Sequence, residues 1–335
     1  MSQSILSRRQ LLQGSVATGM AFGLSALLAG CAKGSAVKNS TAVAKDFVRT
    51  LPQAPGFYPF TIGSIQGTVL SDGTVALPIE AVVTNGNAAD VAALLERNFL
   101  PTAQVNAPLN TVVLKSGGKT ILIDTGYGEE GTEANGFQQA LLASQGISPT
   151  EVDAVFITHA HPDHLWGLMD GEGKPFFPNA EIILHENEYN FFGNASNSIA
   201  PLAALFEGVG RNLLPLKDRI KTVKGGNAIA PGITVVEAFG HTPGHCAVRV
   251  ADGDDQLLIT ADTANHHILF PANPDYHFSY DLDPAQAVKT RRAIFDQLAT
   301  EKSKLLAYHF PFPGIGYMRR TSGGAFEFVP AVWGA

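Results

Sequence analysis

Only two cysteines, Cys31 and Cys246, occur in 335 residues. They can build neither a disulfide framework nor a CxxC zinc site. Basic runs are missing too, and the formal net charge is −7. Nucleic acid is therefore a poor partner on charge alone, because phosphate binding needs clustered Lys and Arg. No internal repeat is visible, which excludes a solenoid or propeller. Charged residues make up 16% of the chain and hydrophobic ones 45%. That is enough apolar sequence for a sizeable core. What stands out is histidine: there are ten, several in tight groups.

The N-terminus reads as an export signal. Ser7-Arg8-Arg9-Gln10-Leu11-Leu12 resembles the twin-arginine motif, and a mildly apolar run, Val16 to Leu28, follows. That run is short for a membrane span and is diluted by Gly, Ser and Thr. Leu28-Ala29-Gly30-Cys31 resembles a bacterial lipobox, which implies cleavage before Cys31 and lipidation of its thiol. A plain signal peptide is the simpler alternative. Residues 1–30 carry two arginines and no acid, so their removal takes the charge from −7 to −9. Residues 31–55 are expected to be a tether, rich in Ala, Lys, Ser, Thr and Gly. The folded body is expected over 56–335. The anchor at Cys31 is the one membrane contact expected, in the periplasm or cell envelope.

From Gly56 the pattern changes. Phe60 to Ile65 and Gly67 to Leu70 read as strands, with Ser71-Asp72-Gly73 as the turn after the second. Asn87 to Phe99 has helical spacing at Val91, Leu94, Leu95 and Phe99. Thr111 to Ile123 reads as a hairpin that ends at Asp124-Thr125-Gly126. Gly136 to Gln145 reads as a helix, and Val152 to Thr158 is a short apolar strand. Ala180–Leu184, Gly232–Ala238, Cys246–Val250, Gln256–Thr260 and Leu305–Ala307 continue as strands. Pro284 to Leu298 is an amphipathic helix with Asp283 as N-cap. Strands and helices alternate in both halves, so one α/β domain with sheets buried between helices is expected.

Thr158-His159-Ala160-His161-Pro162-Asp163-His164 is the strongest chemical signal. On an extended segment, His159 and His161 point the same way. Pro162 then turns the chain into the start of a helix, so Asp163 and His164 face elsewhere. One short stretch thus offers two ligands to each of two neighbouring ions. Imidazole and carboxylate suit zinc, and also manganese, iron or cobalt. In Gly240-His241-Thr242-Pro243-Gly244-His245, a tight loop fixes His241 as the better ligand candidate, and His245 is expected to pack or hydrogen-bond. Asp262 and His309 each follow an apolar strand. Alone, either would read as structural. A carboxylate at Asp262 can bridge two ions.

In this order the pieces resemble the metallo-β-lactamase superfamily: H-x-H-x-D-H, then His, Asp and His, with Asp124-Thr125-Gly126 where the family carries I-D-T-G. The resemblance runs from about Pro55 to about Trp333. Ala54-Pro55-Gly56-Phe57-Tyr58, Ser71 to Pro78 and Phe312-Pro313-Gly314-Ile315-Gly316 resemble the methyl parathion hydrolase branch, related to quorum-quenching lactonases and aryl esterases. The resemblance implies a single-domain αββα sandwich with metals at the sheet edge. It implies His159, His161 and His241 on one ion, Asp163, His164 and His309 on the other, and Asp262 on both. Asp124 would orient a ligand imidazole rather than bind metal. Two divalent transition ions are implied, zinc first.

The expected chemistry is attack by a metal-bridging hydroxide on a lactone or aryl ester, with phosphotriesters a further option. Asp163 and Asp262 are the catalytic carboxylates. Phe191, Phe192 and Phe270 are candidate pocket walls. The loop Gly128–Glu133 is acidic and small where the phosphotriesterase-like branch carries an aromatic residue, which favours lactone or ester over organophosphate. A true β-lactamase is disfavoured, since those enzymes generally lack the bridging Asp. A thioesterase-type hydrolase of this fold is a further alternative. A nuclease is disfavoured by charge, and a flavin-linked relative by the absence of a flavin domain. The reading from another class is a non-catalytic metal-binding lipoprotein. The expected partner is a small-molecule substrate, with a homodimer as one option for assembly.

Overall fold

Between Ile65 and Pro78 the strand is covered on both faces at its middle, where the adjacent Val69 and Leu70 are both fully buried, and buries only some of its positions toward its ends. The computed structural model describes residues 56–200 and 202–332. The export signal, the lipidation residue Cys31 and the tether lie outside the described residues, and none of the described helices is long and apolar enough to cross a membrane.

Two seven-stranded sheets take up the chain in sequence order. The first contains β1 (Phe57–Ile62), β2 (Ile65–Pro78), β3 (Gln104–Ser116), β4 (Lys119–Ile123), β5 (Ala154–Ile157), β6 (Glu181–His185) and β7 (Ile220–Val223). The second contains β8 (Ala228–Ala230), β9 (Ile233–Glu237), β10 (Cys246–Asp252), β11 (Asp255–Ala261), β12 (Lys304–Ala307), β13 (Ile315–Arg320) and β14 (Phe326–Pro330). Hairpins build the outer strands, while β4 to β7 run parallel. In the second sheet β11 and β12 pair in parallel. The Pro284–Glu301 helix makes that crossover, and Asp283 caps it by accepting the Gln286 N–H.

Three apolar layers hold this together. Val69, Val112, Phe156 and Ile183 of the first sheet meet Val235, Val248, Ile259 and Leu306 of the second. Leu141, Leu165, Phe192 and Val209 cover the first sheet's outer face. Leu95, Phe270, Ile294 and Leu298 cover the second's. The order helix, sheet, sheet, helix is the αββα sandwich that the resemblance implied.

The expected turn at Ser71-Asp72-Gly73 is corrected. The chain turns at Gly63-Ser64 instead, and Ser71–Gly73 is a bulge inside the long β2–β3 pair. Asp72 is the extra residue, fully buried, and its carboxylate accepts the backbone N–H groups of Tyr127, Gly136 and Gln138. Gly73 stands at φ +109° with the Ala134 carbonyl 2.1 Å from where a Cβ would be, so no side chain fits there. A turn motif read from composition was a bulge, because pairing with β3 continued on both sides of it.

Candidate metal centre

Strand ends build the site. β5 runs out at Ile157 and delivers His159 and His161 on extended backbone; Pro162 then starts a short helix, Pro162–Leu165, that carries Asp163 and His164. His241 comes from the loop between β9 and β10, Asp262 from the end of β11, and His309 from the end of β12. Two residues that place these groups are bent into left-handed backbone. Ala261 has φ +43° just before Asp262, and Asp124, at the end of β4, has φ +62°. Such strain in non-glycine residues gathers at functional sites.

The structure brings all seven candidate ligands together. His159 Nε2 and His241 Nε2 stand 3.1 and 2.9 Å from His161 Nδ1. Zinc–nitrogen bonds of 2.0–2.1 Å at tetrahedral angles set ligand nitrogens roughly 3.3 Å apart, so this triangle fits one face of such a site. Asp163 Oδ2 lies 3.3 Å from His164 Nε2 and 3.6 Å from His309 Nε2. Asp262 stands between the groups: Oδ2 is 3.3 Å from His241 and 2.9 Å from His309, and Oδ1 is 3.2 Å from His164. His164 Nε2 and Asp262 Oδ1 are buried and make no hydrogen bond. Buried polar atoms aimed at one another without partners fit cations between them.

Each imidazole is oriented by what holds its other side. His164 Nδ1–H donates to Asp124 at 2.8 Å, and Asp124 also accepts the Thr158 N–H and hydroxyl. His241 Nδ1–H donates to Asp281 at 2.8 Å, and His309 Nδ1–H to the Pro108 carbonyl at 2.9 Å. Thr158 Oγ1 lies 3.1 Å from His159 Nδ1. These contacts turn Nε2 of all four inward, a carboxylate–histidine pattern that also raises ligand basicity. Behind Asp281 stands Arg291, fully buried, with Nη2 3.6 Å away. Arg291 donates to the carbonyls of Thr263, Pro274 and Tyr276 and lies over the Phe270 ring at 4.4 Å.

Electrostatics divide the histidines. Burial holds His159 and His161 well below the ordinary imidazole range. Burial also lowers His241, but Asp262 and Asp281 outweigh it and bring it to about 9. His164 is likewise raised, by Asp163, Asp262 and Asp124 against burial. Imidazole and carboxylate ligands bind an ion only when deprotonated, so ion binding here is expected to weaken as pH falls.

The expected pocket walls fare unevenly. Phe192 and Phe270 are corrected: they are 2% and 0% exposed and pack in the outer cores, because each faces its sheet from a helix. Phe191 lines a groove of about 380 Å³ with Leu202, Phe239, Pro243 and Leu282, beside the His241 loop. His266 is buried, and its Nδ1 accepts the N–H groups of Ile268 and Leu269. The acidic loop is largely engaged: Glu130 pairs with Arg211 and Asn212, and Glu129 accepts the Gly171 N–H. Aromatic groups near the centre are Tyr280, half exposed with its ring 6.4 Å from His161, and Tyr127, edge-on to Trp166. Sequence reasoning passed over Tyr127, Glu188, Asp281, Arg291 and Tyr308. Tyr308 stacks on His164 at 3.9 Å, and its hydroxyl donates to the Asp163 carbonyl. The one signal for Tyr308 was its place beside His309.

Comparisons with known proteins agree with this geometry. The chain is similar to AidC, a dizinc quorum-quenching lactonase in complex with a product, N-hexanoyl-L-homoserine: 27% identity over 84% of this chain and 99% of that one, TM-score 0.77. It is equally similar to AbOPH, a hydrolase of the β-lactamase superfamily, at 27% identity over 85% and 100% of the two chains, TM-score 0.79. Ribonuclease Z of Archaeoglobus fulgidus is 26% identical over 179 residues, 53% of this chain and 52% of that protein, so the chain spans about half the length of this relative. The model of the metallo-beta-lactamase superfamily matches residues 107–309, from within β3 to the last candidate ligand. The sandwich, the strand-end ligands in their order and this match together place the chain in the metallo-beta-lactamase superfamily.

Proposed function

We propose that this chain is a binuclear metal-dependent hydrolase that opens lactones or cleaves aryl esters, exported and held in the cell envelope by a lipid on Cys31. The observation that carries the hydrolytic reading is the convergence of seven buried ligand atoms from both sheets, in a chain similar over most of its length to a dizinc lactonase. His159, His161 and His241 would hold one ion, Asp163, His164 and His309 the other, and Asp262 stands between the two groups. When bound, two adjacent divalent ions supply Lewis acidity and an activated water at neutral pH.

The residues do the rest. Asp124, Asp281 and the Pro108 carbonyl keep three ligand imidazoles in one tautomer. Asp163 has the most solvent-exposed side chain of the four carboxylates, at 12% against 3% for Asp262 and 1% for Asp124 and Asp281. It is placed to take a proton from water and pass it to a departing oxygen. Tyr280, at the edge of the cluster, offers an aromatic face and a hydroxyl to an arriving substrate. A groove lined by Phe191, Phe239 and Leu282 runs behind the His241 loop and suits an apolar substituent.

The likeness to ribonuclease Z favours a second reading, phosphodiester cleavage. The net charge of −7 argues against it, because each neutralised phosphate needs a Lys or Arg. The test is kcat/KM for dihydrocoumarin, an acyl-homoserine lactone, methyl parathion, a phosphate monoester and a precursor tRNA. The lactone or aryl ester is expected to lead. A tenfold lead by methyl parathion, the monoester or RNA, about 1.4 kcal/mol, sinks the substrate assignment.

A further inference from the structure

Two backbone segments carry the three nitrogens of the first pocket, and both end on one carboxylate. Glu188 is fully buried. Its Oε1 accepts the N–H of Ala160 at 2.7 Å, and Ala160 lies between His159 and His161. Its Oε2 accepts the Thr242 hydroxyl at 2.7 Å and the Gly244 N–H at 2.8 Å, one and three residues past His241. We propose that Glu188 is a positioning residue that sets the spacing of the His159, His161 and His241 nitrogens, and with it the metal affinity of the first pocket. The proposal rests on the reading of the cluster as a metal centre.

Local structure explains why this carboxylate is free to do so. Glu188 is the third residue of the Glu186–Phe192 helix. A Glu there ordinarily turns back to its own cap. Here His185 Nδ1 accepts the Asn187 N–H and fills the cap position, so Glu188 turns inward. The His241 loop is pressed against the same helix: a Cβ on Gly244 would fall 2.3 Å from the Glu188 nitrogen. A buried carboxylate is unfavourable unless its oxygens are matched by donors. No Lys or Arg is among its hydrogen-bond partners. What it supplies, and an apolar side chain of the same size does not, is three directed bonds across the gap between the two ligand segments.

The second pocket is held by other means. The His161 carbonyl accepts the N–H groups of His164 and Leu165, Asp124 holds the His164 ring, and Tyr308 holds the Asp163 carbonyl. Glu188 bonds to none of these. The two segments of the first pocket also meet where the Cys246 N–H donates to the Thr158 carbonyl. That bond joins them behind the ligands, so without Glu188 the segments stay paired and the nitrogens lose their register.

The experiment isolates each pocket. His309→Ala weakens the second and His161→Ala the first. Into each background go Glu188→Gln, which sets an amide N–H₂ against a backbone N–H, and Thr242→Val, which removes one bond at nearly constant volume. Metal-free protein is titrated with Zn²⁺ against a chelator and with Co²⁺ by visible absorption, and thermal unfolding is followed without metal. First-pocket affinity is expected to fall about tenfold or more in Glu188→Gln, with an altered Co²⁺ band, and by less in Thr242→Val. Second-pocket affinity is expected to stay within about threefold. Equal loss in both pockets that follows the loss of thermal stability overturns the proposal, and so do unchanged affinities. Wild-type protein that takes up fewer than two ions overturns the metal-centre reading itself.

Discussion

His245 Nε2 accepts the backbone N–H of Asp262 at 3.1 Å, while its Nδ1–H donates to the Ala238 carbonyl at 2.7 Å. The second histidine of the Gly240–His245 loop thus seats the carboxylate that faces both pockets. Burial keeps the ring neutral, with a pKa of about 4, as a ring that donates on one side and accepts on the other requires. His245→Phe fills the space but strands two buried backbone groups. Each costs about 1–3 kcal/mol, and Asp262 loses its anchor. Denaturant unfolding and metal content are both expected to suffer; a fully metallated variant of unchanged stability contradicts this role.

Substitutions at Asp262 and His309 are expected to separate the two proposed ion sites. Asp262→Ala removes an oxygen from each pocket and should drop metal content to one ion or less. His309→Ala should spare the first ion. Elemental analysis after dialysis distinguishes them, and identical losses in the two variants count against the shared carboxylate.

Arg291 is a buried cation whose removal leaves three carbonyls without the donor it supplies and takes the neighbouring positive charge from Asp281, which keeps His241 and the Phe278 N–H as donors. Arg291→Met should lower unfolding free energy by about 3–5 kcal/mol. Arg291→Lys should recover little of it, since one ammonium cannot reproduce the planar fork. A lysine variant of wild-type stability refutes the geometric argument.

His266 makes a pH prediction. Burial, with His267 beside it, pushes its pKa from 6.5 to about 3. Between those values the unfolded chain binds a proton that the folded chain refuses. The His266 contribution is therefore complete above pH 6.5 and is lost as pH falls toward 3. His266→Asn keeps an acceptor for the Ile268 and Leu269 N–H groups but does not titrate. The urea midpoint of the metal-free variant should fall less steeply from pH 7 to pH 5 than that of the wild type. Parallel profiles reject the assignment.

Export is tested at the N-terminus. Arg8→Lys with Arg9→Lys should leave the precursor in the cytoplasm, and Cys31→Ser should release the protein from the membrane fraction. Equal secretion of the double variant, or a membrane-bound Cys31→Ser protein, speaks against the lipoprotein reading.

The candidate ligands, which the structure brings together, were legible because they are dense or sit at strand ends. His159 to His164 puts four ligand-type residues in six positions, and the apolar strands before His241, Asp262 and His309 mark where loops begin. The supporting groups were not legible. Glu188 looks like any acid in a helix's first turn, and Arg291 like any charge on a helix, until burial shows which way each points. Asp281 is 40 residues from the histidine it holds, and only the fold closes that distance. The pocket walls failed for a related reason. Phe192 and Phe270 stand near the right segments, but amphipathic packing on the outer faces of the sheets claims them first.

With ions bound, the candidate ligand cluster would also do for this chain what cystine does for others. Four ligands leave the first sheet and three leave the second, and Cys246 is free and buried. Ions held there would tie His159 to His241 and Asp163 to His309, positions far apart in the sequence. In the chain-entropy account, closing a loop of some 100 residues restricts the unfolded ensemble by about 5 kcal/mol. Such a tether ignores the redox state of its surroundings and answers to chelators and acid instead.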